Sequence, residues 1–146
     1  FTTFLFYEHT FLEAKFSKNS YGFREGQSTK IPVSKIIGQI SNAKCAYTIE
    51  IDFKQCFDQI PLNVALRQAR SLGITNGKVL ETIKHLMYVS KEYDGIGLSR
   101  GTVLGPILAN CYLHQLDVWV QDNVSQKNER QRCFYFLILV FEILFY

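Results

Sequence analysis

Cysteine is scarce and unpatterned in this chain. The four residues, Cys45, Cys56, Cys111 and Cys133, have no close paired spacing, so neither a zinc site nor a disulfide framework is indicated, and reduced thiols in an intracellular protein are expected. No basic-then-apolar leader with a small-residue cleavage site is present, so nothing supports secretion. The longest apolar stretch, Cys133-Phe-Tyr-Phe-Leu-Ile-Leu-Val-Phe-Glu-Ile-Leu-Phe-Tyr146, has 14 residues interrupted by Glu142. About 20 apolar residues are needed to span a bilayer, so no membrane span is expected there. Charge of one sign is also lacking overall. A net charge of +3 does not announce a polyanionic partner.

What is present is apolar and locally basic. With 47% apolar and 14% aromatic residues in 146, the chain can bury a core, and one compact domain is the prior. Between Leu12 and Lys44, the basic residues Lys15, Lys18, Arg24, Lys30, Lys35 and Lys44 face only Glu13 and Glu25. Tyr21 and Phe23 are embedded in this stretch. Such a segment is either an ordinary solvated face or one that binds phosphates and stacks on a base.

Periodicity assigns the elements. Cys45, Tyr47, Ile49 and Ile51 alternate with Ala46, Thr48 and Glu50, the pattern of a half-buried strand. Its register places Asp52 at the strand end, pointing away from the buried face. A carboxylate there is either simply solvated or a ligand for a divalent cation. Ser28 or Thr29 caps a predicted helix through Ile36, Ile37 and Ile40, with Pro32 in its first turn. Pro61 opens a helix with Leu62, Ala65, Leu66 and Ala69 on one side, closed by Gly73. Asn76 caps another, with Val79, Leu80, Ile83, Leu86 and Met87 as its stripe. Asp94-Gly95 predicts a hairpin over Tyr88–Arg100. Gly105-Pro106 then starts a long helix, with Ile107, Leu108, Cys111, Tyr112, Gln115, Leu116 and Trp119 as a wall of the core.

Three blocks carry a more specific signal. Ser20-Tyr-Gly-Phe-Arg-Glu-Gly-Gln-Ser-Thr29 lies upstream of Ile49-Glu-Ile-Asp-Phe-Lys-Gln-Cys-Phe-Asp58. Downstream is Gly97-Leu-Ser-Arg-Gly-Thr-Val-Leu-Gly-Pro-Ile-Leu-Ala-Asn-Cys-Tyr-Leu-His-Gln-Leu-Asp117. In this order and spacing, the blocks resemble the fingers and palm of a reverse transcriptase, most closely the group II intron (maturase-type) branch. The resemblance runs from about Phe11 to about Trp119. It implies an α+β fold, a partial fingers and palm of a right-hand polymerase with an antiparallel sheet packed on helices. Residues 1–123 would form that domain, and residues 124–146 an atypical tail.

The resemblance also implies site residues. Asp52 would ligate two Mg²⁺ ions, with the Phe53 carbonyl assisting one. Arg24 would grip the incoming triphosphate, for which a bidentate, always-charged guanidinium is suited, and Lys30 would be a second candidate. Phe57 would abut the sugar and exclude a 2′ hydroxyl, with core packing as the competing reading. Asp58 reads as a turn or helix-capping residue. Gly101 would lie under the nascent base pair, with Arg100 beside it. Asn110 would support its helix or be a satisfied buried amide. Lys15, Lys18 and Tyr21 would contact RNA. The implied partners are an RNA template and primer and a deoxynucleoside triphosphate, in a bacterial cytoplasm or a mitochondrion.

Departures from the family pattern qualify the picture. The family Pro-Gln-Gly is Ser99-Arg100-Gly101 here, and Arg100 can donate hydrogen bonds but not accept them. Glu25 and Gln27 replace a family Pro and Arg, and Glu25 brings negative charge beside the expected triphosphate site. The Tyr-x-Asp-Asp hairpin that follows the long helix in the family does not occur in this sequence. The chain begins Phe-Thr-Thr rather than with Met, so a fragment is expected. The tail is expected to be read-through past an exon or frameshift boundary, with a strand or a membrane-seeking end as alternatives. A chain with one strand-end carboxylate is not expected to polymerise DNA by itself, and the alternatives are an RNA-binding, maturase-like module that assists intron splicing or a non-functional remnant.

Overall fold

The computed structural model describes residues 10–24, 26–28, 30–42, 51–89, 97–99 and 101–125. Five α-helices follow a helical stretch at 10–13: α1 (Lys30–Ser41), α2 (Cys56–Gln59), α3 (Leu62–Ser71), α4 (Gly77–Val89) and α5 (Leu104–Val120). A π-helical turn, Gln121–Ser125, continues from α5. The chain divides into two compact units. One comprises Phe1–Phe16 with Ile51–Gln115, the other Ser17–Glu50 with Leu116–Tyr146, so the boundary falls inside α5. No helix among the described residues is long and apolar enough to cross a membrane.

The helix ends follow their sequence signals. Ser28 Oγ accepts the Lys30 N–H at 3.2 Å, and Pro32 sits in the first turn of α1. The Pro61 carbonyl accepts from Val64 and Ala65 at the start of α3. Its end is closed by Gly73, whose φ of +121° is costly for any residue with a Cβ, while the Ile74 N–H returns to the Ala69 carbonyl at 3.1 Å. Asn76 Oδ1 accepts the Lys78 N–H at 3.0 Å and caps α4. Before α5, Thr102 Oγ1 accepts the Gly105 N–H at 3.1 Å.

The first unit holds the apolar core. Leu62, Ala65 and Ala69 of α3 face Val79, Ile83 and Met87 of α4, and these two helices pack together. Leu12, Phe16, Phe57, Ile60, Leu98, Leu108 and Cys111 complete the cluster, with Leu66, Leu80, Ile107 and Tyr112 against it. Each large side chain buried this way contributes about 1.5–3 kcal/mol.

The expected antiparallel sheet is contradicted: the architecture is helical, and no strand occurs among the described residues. An isolated strand leaves half its backbone groups unpaired and needs neighbours to persist. Ile51 and Asp52, the described end of the predicted strand, make no ladder bond among the described residues. Ile51, assigned to the buried face, is 74% exposed. Residues 43–50 lie outside the described residues, as does the Asp94-Gly95 turn. Of the predicted hairpin, Tyr88 and Val89 are the last residues of α4, because the helical stripe from Val79 onward continues through them. The expected wall on α5 is also rotated toward its C-terminal end. Gln115 and Trp119 are exposed, while Leu113 and Asp117 are buried. On α1, Ile37 and Ile40 are exposed.

Candidate functional site

Asp52 lies in the first unit, exposed, on an irregular segment four residues before α2. The chain enters α2 through Gln55 in a left-handed conformation, φ +50° and ψ +44°, a tight reversal that few residues other than glycine adopt at low cost. The reversal leaves Asp52 near Cys56. The half-buried Cys56 thiol is pushed up by burial first and by the Asp52 charge second. Phe53 is also exposed.

Phe57, one residue into α2, is buried in the core. Its carbonyl accepts the Leu98 N–H at 2.8 Å, which docks the third sequence block onto the α2 turn. Gly97 makes the docking possible. Its φ is +78°, and a Cβ there would lie 2.5 Å from the Phe57 carbonyl oxygen and 2.6 Å from Asp58 Cα. Gly105 approaches the Ser99 carbonyl as closely, and its own position faces the Phe57 ring. Ser99 is buried, Gly101 is exposed with φ +76°, and Arg100 lies outside the described residues. The structure thus brings Phe57 and the Gly97–Ser99 segment together, with Asp52 at the entrance to the same turn.

The second unit contains Arg24, Lys30, Lys18 and Tyr21. The Arg24 guanidinium is half-buried, and its Nη1 donates to the carbonyl oxygens of Ser17 at 2.6 Å and Ser20 at 2.8 Å. Asp117, buried on α5 at 3% exposure, feels the Arg24 charge. Burial pushes its carboxyl up to about 6, and Arg24 pulls it the other way. Tyr21 is buried, and its hydroxyl accepts from Lys35 Nζ at 2.6 Å. Lys30 and Lys18 are exposed. Lys15 belongs to the first unit, exposed, with Nζ 5.4 Å from the centre of the Phe11 ring.

Asp117 is the residue that sequence reasoning passed over. A signal existed: it is the only carboxylate, and the only residue charged at neutral pH with His neutral, in the α5 sequence Leu-Gly-Pro-Ile-Leu-Ala-Asn-Cys-Tyr-Leu-His-Gln-Leu-Asp-Val-Trp-Val. Gly97 was passed over too, because its constraint is a contact distant in sequence.

Two Mg²⁺ ions demand several oxygen donors. Among the described residues, no group of three or more His, Cys, Asp or Glu could hold a metal ion. Beside Asp52 stands a thiol, which suits softer ions than Mg²⁺. The described donor set therefore does not fit a two-ion centre on its own.

Comparison with known proteins agrees with the blocks. The family model described as reverse transcriptase (RNA-dependent DNA polymerase) matches residues 6–137, past the Asn123 boundary read from the motifs. The chain is 33% identical over 78% of its length to an uncharacterised 91 kDa protein in the cob intron of Schizosaccharomyces pombe, of which it covers 14%. It is 25% identical over 82% of its length to a putative COX1/OXI3 intron 1 protein of Saccharomyces cerevisiae, covering 15% of it. With the group II intron-encoded protein LtrA of Lactococcus lactis it shares 32% identity over 74% of its length and covers 18% of that protein. The chain spans less than a fifth of each of these relatives. With a family match over most of its length and relatives of this kind, it belongs to the reverse transcriptase family, in the group II intron branch.

Proposed function

We propose that this chain carries the fingers-type loop and the first catalytic carboxylate of an RNA-directed DNA polymerase encoded by a group II intron. Reverse transcriptases use Mg²⁺. Asp52 supplies one carboxylate of that centre, and the facing carboxylates come from polypeptide not contained in these 146 residues. The observation that carries the reading is the Phe57–Leu98 hydrogen bond, which ties the Asp52 turn to the Gly97–Gly101 block. Residues distant in sequence but matching successive family blocks meet there.

The substrates in this reading are an RNA template with its primer and a deoxynucleoside triphosphate. Arg24, Lys30 and Arg100 serve the triphosphate, Gly101 underlies the base pair, and Lys15 and Lys18 serve the RNA backbone. Phe57 abuts the sugar in this reading and disfavours a 2′ hydroxyl. The compartment is a mitochondrion or a bacterial cytoplasm, where the intron hosts would place it. Residues 124–146 remain proposed as an atypical tail to a domain of residues 1–123. A second reading, an RNA-binding module that assists intron splicing, draws on the basic excess between Lys15 and Lys44.

Primer extension on an RNA template with Mg²⁺ tests the first reading. The chain alone is expected to give no product. Adding a polypeptide that bears a Tyr-x-Asp-Asp hairpin and thumb from a relative restores extension, and Asp52→Ala abolishes it. Template-dependent incorporation by the chain alone, or restored activity indifferent to Asp52, would refute the proposal.

A further inference from the structure

Phe23 combines an exposed ring with an unusual backbone for a bulky residue. It is 42% exposed, and its backbone is left-handed, with φ +54°. A bulky residue in that region is an outlier that persists only where the surroundings over-determine it, and such strain clusters at binding sites. The surroundings here are specific. Arg24, the next residue, fastens the loop by donating from Nη1 to the Ser17 and Ser20 carbonyls. The buried Asp117 of α5, in the same unit, feels the Arg24 charge. Tyr21, the other aromatic of the loop, is buried and hydrogen-bonded to Lys35, so it offers no open face. The exposed Lys18 and Lys30 belong to the same unit.

We infer that Phe23 is a base-stacking side chain for single-stranded RNA, presented by a loop that Arg24 and Asp117 hold in its strained shape. The inference rests on the RNA-binding part of the proposed function and deepens it. Aromatic stacking suits this position because every base has a π face and needs no hydrogen-bond reader. Asp117 is a positioning residue, acting through Arg24.

The test uses the full chain and a short single-stranded RNA carrying one 2-aminopurine, whose fluorescence is quenched by stacking. Wild type is expected to bind in low salt with quenching. Phe23→Leu is expected to weaken affinity by roughly ten-fold and remove the quench, while Phe23→Trp retains both. Phe23→Gly suits the left-handed backbone, so its melting temperature should equal or exceed that of wild type while quenching is lost, a split that a purely structural role would not give. Asp117→Asn should reduce quenching while leaving the salt dependence of binding unchanged. If wild type binds no RNA, the RNA-binding reading falls and this inference falls with it. If wild type binds but the Leu and Gly variants bind and quench like it, only the stacking role is overturned.

Discussion

Among the described residues of the first unit, the buried ones are almost all apolar, with Ser99 and Asn110 as exceptions, and most form one cluster that includes Met87 and Leu108. Among the described residues of the second, the buried ones are Ser20, Tyr21, Gly22, Pro32 and Asp117, and α1 leaves Ile31, Val33, Ile37 and Ile40 exposed. The first unit is shaped by packing. The second is shaped by directed polar contacts, Lys35 on Tyr21 and Arg24 on two carbonyls beside a carboxylate. Packing tolerates small shifts of partners, whereas a polar pin is satisfied or lost as a whole, with a larger penalty when one partner is left buried alone.

That contrast can be broken by substitution. Met87→Ala, at a fully buried site, should cost about 2–5 kcal/mol in chemical denaturation. A loss below about 1 kcal/mol would mean the core is looser than drawn. Next comes Asp117. Its folded value of about 6 lies above the ordinary carboxylate value, so the native state holds the proton more tightly. The stability it contributes is complete below about pH 4 and disappears as pH rises through about 6, a loss of up to about 3 kcal/mol. Trp119, the only tryptophan, lies in the same unit and reports its unfolding by fluorescence. Asp117→Asn should flatten that part of the profile, and an unchanged profile would show that burial does not hold the Asp117 proton in the folded state.

Gly73→Ala sharpens the same comparison from the other side. A Cβ there would lie 2.6 Å from the Phe11 ring at φ +121°, and the strain should cost about 1–3 kcal/mol, read as a lower melting temperature. Smallest of all are exposed sites in both units. Ile37→Ala on α1 and Asp52→Asn should each change stability by less than about 0.5 kcal/mol. A large loss at Ile37 would show that α1 is buried in solution, and the contrast between the units would fail.

Much of the helical framework was legible because its signals are local. Pro61 and Gly73 punctuate α3, Asn76 caps α4, and the stripe from Val79 to Met87 marks a buried face by spacing alone. The sheet was misread for the complementary reason. Alternation between Cys45 and Ile51 specifies a surface, yet a strand also requires partners, and partners are not a local property. The motif blocks identified the family without stating how their residues are used in space. Phe57 could equally read as a sugar-facing or a core residue, and the structure places it among core side chains. Tyr21 and Phe23 look alike two residues apart, but only the loop geometry separates a buried ring from an exposed one. Asp117 was hidden by its position in an apolar helix, where its meaning depends on Arg24, which is 93 residues earlier in the chain.

The thiol beside Asp52 gives that carboxylate a chemical reporter. Cys56 is held less acidic partly by the negative charge next to it, and alkylation proceeds through the thiolate. A cation that settles on Asp52 would cancel that charge and speed labelling of Cys56, as read by peptide mapping. Deeply buried Cys111, its thiol pushed up to about 12, would stay inert as the internal reference. Ion occupancy could then be followed without any nucleotide being incorporated.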